Sequence, residues 1–316
     1  MSIRFASAAS AVAFIACLAT PAFAGESQAA AAGPVDDTEI VVADTGDAAA
    51  SQRAIAPIDL ATATGQEDAA SPITVSGSAT LISDYRFRGV SQTDEGMAIQ
   101  GGFTIGHESG FYVGTWGSNL AGWGTFGGAN MELDLFAGYA MPVGEGTLDV
   151  GLTWFMYPSG ADTTDFAELY AKLSGDVGPV GLTATVAYAP QQEALGNVFP
   201  VGGGFDPGDK EDNLYLAADA VYGIADTPVS LKAHIGYSDG NPGLGPNGTS
   251  IAPTGTYFDW LIGADITPIS GLTLSVAYVD TDISEAEANL LRPNFATLAG
   301  NSISDATVVF SVTAAF

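Results

Sequence analysis

Cysteine is nearly absent from this chain: of 316 residues one is cysteine, Cys17. It lies inside a stretch read below as a cleaved leader, so the mature chain is expected to hold neither a disulfide framework nor a thiolate metal site. Positive charge is scarce as well. Eight Lys and Arg stand against 36 Asp and Glu, a formal net charge of −28, and this excess argues against nucleic acid and anionic surfaces as partners. Histidine occurs only at His107 and His234. Charged residues make up 14% of the chain, against about 25% in ordinary globular domains. Forty Gly and 16 Pro leave few uninterrupted helical windows. Beyond the leader there is no apolar run of the ~18 residues that a membrane helix needs.

What is present begins with a short basic start, Met1 to Arg4, an apolar run of small residues, and an A-x-A site at Ala22, Phe23 and Ala24. This is the pattern of a cleaved secretory signal peptide over residues 1–24. Residues 25–70 are rich in Ala, Gly, Thr and acid, have no aromatic, and contain one base, Arg53. That composition predicts a disordered acidic linker. Within it, "TEIVVA" (Thr38–Ala43) resembles a TonB box, which binds its partner by adding a strand. A β-prone hexamer also arises by chance in low-complexity sequence, and the composition favours that origin.

From Ser71 onward alternation takes over. In "ITVSGSATLISDYRFRG" the residues Ile73, Val75, Ala79, Leu81, Tyr85 and Phe87 share one parity, while Thr74, Ser76, Ser78, Thr80, Asp84, Arg86 and Arg88 share the other. A period of two means a strand with one apolar and one polar face, here expected to run through Phe87. The pattern recurs to the closing "TVVFSVTAAF" (Thr307–Phe316) and gives twelve strands. Connections alternate without exception. "HESG", "PVGEG", "GDVGP", "ADTP" and "TPISG" are tight, and those between them, such as "DGNPGLGPNGTSIAPTGT", are long. Soluble sandwiches have no reason to sort loops in this way, whereas outer-membrane barrels have short periplasmic turns and long external loops.

The expected fold is therefore an all-β, transmembrane, antiparallel up-and-down barrel over residues 71–316, in the outer membrane of a Gram-negative cell with both termini periplasmic. Outer-membrane lipid would cover the apolar face, including that of the last strand. On that face Tyr139, Tyr222 and Phe316 fall near the periplasmic strand ends. Phe87, Trp154, Tyr188, Tyr237, Trp260 and Tyr278 fall toward the outer ends, as two interfacial girdles would. The terminal strand ending in Phe316 resembles the signal read by the barrel-assembly machinery.

"SDYRFRGVSQTDEGMAIQGGF" (Ser83–Phe103), "GFYVGTWGSN" (Gly110–Asn119), "ELDLFAGY", "HIGYSDGN" (His234–Asn241) and "LTLSVAYVDTD" together resemble the TorF-type porins of proteobacteria. The likeness covers about Ser71 to Phe316 and implies an outer-membrane porin. The acidic extension before Ser71 is not part of that pattern.

Parity places eight acids inward: Asp84, Glu132, Asp134, Asp149, Glu168, Asp219, Asp259 and Asp265. Four bases join them, Arg86, Arg88, Lys172 and Lys232, with His234 beside Lys232. Basic groups facing lipid at midplane would cost about 2–4 kcal/mol, so their placement marks a polar or wet interior. The reading is a channel for passive diffusion of small hydrophilic solutes with a mild cation preference. The alternative is a structural or surface-interaction barrel whose charges pair across a closed lumen. An outer-membrane lipase would need a lipid-facing Ser–His pair. His107 at a turn and His234 pointing inward do not suit one, so no enzyme and no cofactor are expected. The acidic loop "DPGDKED" (Asp206–Asp212) lacks EF-hand spacing, and no metal site is expected there.

Overall fold

Alternating side chains with β-branched and aromatic residues on one parity favour extended, half-covered backbone. They form twelve long strands in the computed structural model, which describes residues 71–316 apart from 201–203, 205 and 241. In chain order these are β1 (Ile73–Ile82), β2 (Ala98–His107), β3 (Phe111–Asn119), β4 (Met131–Val143), β5 (Gly146–Met156) and β6 (Phe166–Val177). The second half comprises β7 (Val180–Gln192), β8 (Glu211–Gly223), β9 (Val229–Gly240), β10 (Thr256–Ile269), β11 (Leu272–Thr281) and β12 (Thr307–Ala315). The expected leader, the acidic linker and the Thr38–Ala43 hexamer lie outside the described residues.

Each strand pairs antiparallel with its neighbour in the chain, and β1 closes on β12 through Ser78–Ile82 against Ser311–Ala315. The last residue belongs to this ladder: the Phe316 amide donates to the Gly77 carbonyl at 3.0 Å, and the Gly77 amide donates back at 2.9 Å. Closure leaves no free sheet edge for another chain to pair with. Tight turns and long loops alternate as the sequence predicts, with the long segments 83–97, 120–130, 157–165, 193–210, 241–255 and 282–306 all at one end.

The outer wall is apolar. Ile105, Val113, Leu152, Leu169, Leu231, Ile262, Val276 and Phe310 are all exposed. An apolar belt of this extent would drive a soluble protein to aggregate. In a bilayer it is the solvated face, and the closed ladder satisfies every strand within it. Trp154, Tyr188 and Tyr278 are exposed toward the long-loop end of the belt, and Phe111, Tyr222 and Phe316 toward the other.

The first strand is shorter than its alternation predicts. β1 stops at Ile82, and residues 83–97 turn into the barrel, where Arg86–Phe87 pairs with Val90–Ser91 as a small hairpin. Arg88 (φ 49°) and Gly89 (φ 80°) turn that hairpin through left-handed backbone, and a Cβ at position 89 would strike Thr281. Tyr85 and Phe87 consequently face the interior rather than lipid. Tyr85 packs edge-on to Trp116 with ring centroids 5.5 Å apart, and Phe87 packs on Phe155 at 6.2 Å. Alternation records which faces are wetted differently; it does not say that a partner strand is beside them.

A second core lies at the long-loop end. Trp123 meets Phe295 at 5.0 Å and Phe126 meets Tyr157 at 5.0 Å, both edge-on, while Phe155 stacks on Phe166 at 4.3 Å. Ile82, Leu261, Val279 and Val309, inward-facing at the upper ends of their strands, complete it. Helix α1 (Glu285–Leu290) sits in the last long loop. It is started by a capping box in which Ser284 and Glu287 bond reciprocally, and those bonds hold the Glu287 carboxyl below its ordinary range.

Candidate functional site

The lumen combines inward positions from the strands with the inserted loop. Among the thirteen titratable residues that parity turns inward, ten are on strands and on the lumen face: Glu132 and Asp134 on β4, Asp149 on β5, Glu168 and Lys172 on β6, Asp219 on β8, Lys232 and His234 on β9, Asp259 and Asp265 on β10. Asp84, Arg86 and Arg88 are also inside, but on the loop and not on β1. The two arginines therefore do not form a ladder along one strand. Their guanidinium groups part company and serve different contacts.

Arg86 is fully buried and holds the loop to itself and to its neighbour. Its Nε donates to Asp84 at 2.7 Å, and its Nη1 donates to the carbonyls of Gly89 at 3.0 Å and Asp305 at 2.9 Å. Asp84 also accepts from Ser91 at 2.5 Å and Thr93 at 3.2 Å. Glu95 lies 3.5 Å from Arg86. Burial raises its carboxyl above the ordinary range, against the pull of that cation.

Arg88 reaches across the barrel. Its Nη2 donates to Glu168 on β6 at 2.6 Å, and its guanidinium lies 4.0 Å from the centre of the Tyr215 ring on β8. These strands face β1 from the far side of a twelve-strand ring, so the loop spans the lumen. A buried cation paired and stacked in this way is well held, and removing one partner would strand the other.

Tyr215 leads into the next group. Its hydroxyl is 3.0 Å from His234 Nε2 and 3.1 Å from Asp259 Oδ2. The His234 ring sits between two carboxylates, Nδ1 at 2.6 Å from Asp219 and Nε2 at 3.2 Å from Asp259. A continuous polar chain thus runs from Glu168 through Arg88, Tyr215 and Asp259 to His234 and Asp219.

A separate set lies nearer the tight turns. Lys232 donates to Ser275 at 2.9 Å and pairs with Asp265 at 3.0 Å. Tyr112 donates to Asp149 at 2.6 Å and lies 2.5 Å from the Tyr170 hydroxyl. Lys172 stands opposite Asp149 in the β5–β6 register and over the Tyr170 ring at 5.1 Å. At the opposite, long-loop end, Tyr85 on the inserted loop donates to Glu132 at 3.2 Å.

Tyr112, Tyr170 and Tyr215 are the lumen residues that charge counting overlooks. Their signal is present in the sequence, since each occupies the polar parity of its strand. Their rings also need room. Tyr112 lies over Gly138, Tyr170 over Gly151 and Tyr215 over Gly236, each a glycine on an adjoining or nearby strand where a Cβ would collide with the phenol.

Solved structures with a similar barrel include a NanC porin (TM-score 0.46, 10% identity, 77% of this chain and 99% of that one). A KdgM porin aligns with TM-score 0.43 at 10% identity over 76% and 98%. The COG4313 outer membrane channel from Pseudomonas putida F1 aligns with TM-score 0.41 at 10% identity over 79% and 97%. Likeness at this level says nothing about solute or mechanism. No curated protein matches the sequence. The family model described as "Bacterial protein of unknown function (Gcw_chp)" matches residues 66–316, which include the whole barrel with its inserted loop, and the chain belongs to that family.

Proposed function

We propose that this protein is an outer-membrane, porin-like channel for small hydrophilic solutes, its outer mouth closed by the 83–97 loop. The observation that carries the reading is what fills the lumen. Small eight-strand barrels are filled by their own strand side chains. This wider barrel is filled by a segment inserted from outside the wall and held by ion pairs and hydrogen bonds, above a half-exposed polar vestibule. A filling of that kind can be withdrawn. The strand acids outnumber the strand bases Lys172 and Lys232, which supports a mild preference for cations. Nothing in the proposal requires a catalytic step.

The other reading, a surface barrel with a permanently closed lumen, is favoured by one feature: the aromatic core around Phe155, Phe166 and Phe295 at the long-loop end. Planar-bilayer recordings of the purified mature protein separate the two. Discrete conductance steps are expected of the channel. Their absence across voltage and salt, in protein that shows the heat-modifiable mobility of a folded barrel, would leave the closed barrel. Phe316 in the β1–β12 ladder supports its reading as the assembly signal, and deletion of Phe316 is expected to lower the folded barrel recovered from outer membranes.

A further inference from the structure

We infer that the Asp219–His234–Asp259 group is a proton-sensitive latch on the inserted loop: protonated His234 holds the loop in place, and loss of that proton releases it. The inference rests on the channel reading only for its consequence in conductance; the latch itself is a statement about the loop.

The argument starts from donors and acceptors. Both ring nitrogens of His234 face carboxylate oxygens, at 2.6 Å and 3.2 Å. Only the imidazolium carries two N–H donors, so this arrangement is complete when the ring is charged. Nδ1–H then serves Asp219, Nε2–H serves Asp259, and the Tyr215 hydroxyl is left to donate to Asp259. Take the proton away and one nitrogen presents a lone pair. Asp219, the nearer carboxylate, keeps the remaining N–H. The Tyr215 hydroxyl turns to Nε2 at 3.0 Å, and Asp259, 2% exposed, loses the donors that faced it.

The loop is anchored on these two residues. Arg88 lies on the Tyr215 ring, and Gly89 sits against Asp259 so closely that a Cβ there would touch the Asp259 side chain. Other charged or titratable groups around the imidazole are Lys232, two residues away on the same face of β9 and paired with Asp265; Tyr215 and Asp219 on β8; Tyr257 and Asp259 on β10; and Arg88 from the loop. Two effects oppose each other as the ring is neutralised. The group becomes more negative and draws Arg88 harder, but across the width of a phenol ring. Against this, the Asp259 carboxylate, whose side chain packs beside Gly89, is left buried and short of donors. The second is the larger, because the donors are lost in direct contact with Asp259, whereas Arg88 already has its charge partner in Glu168 at 2.6 Å and stands behind the Tyr215 ring. Water that would satisfy Asp259 competes for space with the Arg88–Gly89 turn packed beside it. Histidine is the side chain whose charge changes near neutral pH, so the latch loosens as pH rises.

The test uses Val90, 2% exposed in the inserted hairpin, in a mature chain expected to lack other cysteines. Val90→Cys is labelled with a polar maleimide in the reconstituted mature protein between pH 5.5 and 8, and its rate is divided by that of Leu298→Cys, 92% exposed in the last long loop, to remove the pH dependence of the reagent. The ratio is expected to rise several-fold with pH, and to lose that rise in His234→Gln. Asp219→Asn, a milder change, should shift the rise to lower pH. A ratio that is flat, that falls with pH, or that rises equally in His234→Gln overturns the latch. Conductance measured on the same samples reports on the channel separately. A pH-dependent ratio without conductance at any pH would reject the channel and keep the latch; steady conductance with a flat ratio would do the reverse.

Discussion

At the long-loop end, the inward positions Phe155, Phe166, Leu261, Val279 and Val309 are almost wholly buried. At the tight-turn end, Asp149, Ser174, Thr183 and Thr267 on the same parity remain half exposed. One barrel wall therefore encloses two interiors. The outer one is built like a globular core, dry and aromatic, around a loop pinned by Arg86 and Arg88. The inner one is a polar vestibule where Lys232 and Asp265, or Tyr112 and Asp149, pair across strands. The difference teaches that a lumen facing two different boundaries need not have one chemistry. Inserted chain brings its own apolar side chains to the outer half, and the inner half keeps the wetted face of the strands.

The comparison breaks most visibly if the inserted loop is removed. On the channel reading proposed above, replacing residues 85–92 with a short Gly-Ser linker is expected to raise single-channel conductance several-fold. Unchanged conductance would mean that the outer mouth is not closed by this loop. The next effect in size separates the interior core from the outer wall. Phe295→Ala, at a site with no exposure, should destabilise the long-loop end by about 3–5 kcal/mol, whereas Leu169→Ala on the lipid-facing wall, 51% exposed, should do far less; urea unfolding followed by near-UV signal checks the order. Smaller again is Lys232→Met in the vestibule. It removes an inward base, and the reversal potential under a salt gradient should move toward cations. The smallest expected effect is that of Ser284→Ala, which removes the cap of α1 and costs about 1 kcal/mol. It should be read as faster amide exchange over Glu285–Leu290 with no change at the vestibule.

The sequence conveyed the wall better than its filling. The β12 stripe of Val308, Phe310 and Val312 against Ser311 and Thr313, and the alternation of tight and long connections, follow from which solvent each face meets, and that is a local property of the chain. Parity likewise turned Glu168, Asp219, His234 and Asp259 to the lumen. It failed at Tyr85 and Phe87, because a loop folded into the barrel mouth finds apolar surroundings on a side where strand logic expects lipid. Nor could spacing pair Arg88 with Glu168, 80 positions away. That contact exists only because twelve strands close a ring and the Arg88–Gly89 turn aims one side chain across it. The neighbouring Gly in "RFRG" carries part of that information, since a residue able to adopt left-handed backbone in mid-alternation marks a break in the strand.

The phenol-over-glycine contacts of the lumen have a consequence for how this sequence can drift. Tyr112 with Gly138, Tyr170 with Gly151 and Tyr215 with Gly236 are pairs in which neither member can change alone: a side chain at the glycine ejects the ring, and a smaller residue at the tyrosine leaves a bare patch of backbone. In an alignment of relatives the two columns of each pair should therefore co-vary. A larger residue at the glycine position should arrive with a shorter one at the tyrosine position; the Tyr215 pair should change independently of the other two, whereas the Tyr112 and Tyr170 pairs, whose hydroxyls lie 2.5 Å apart, should change together.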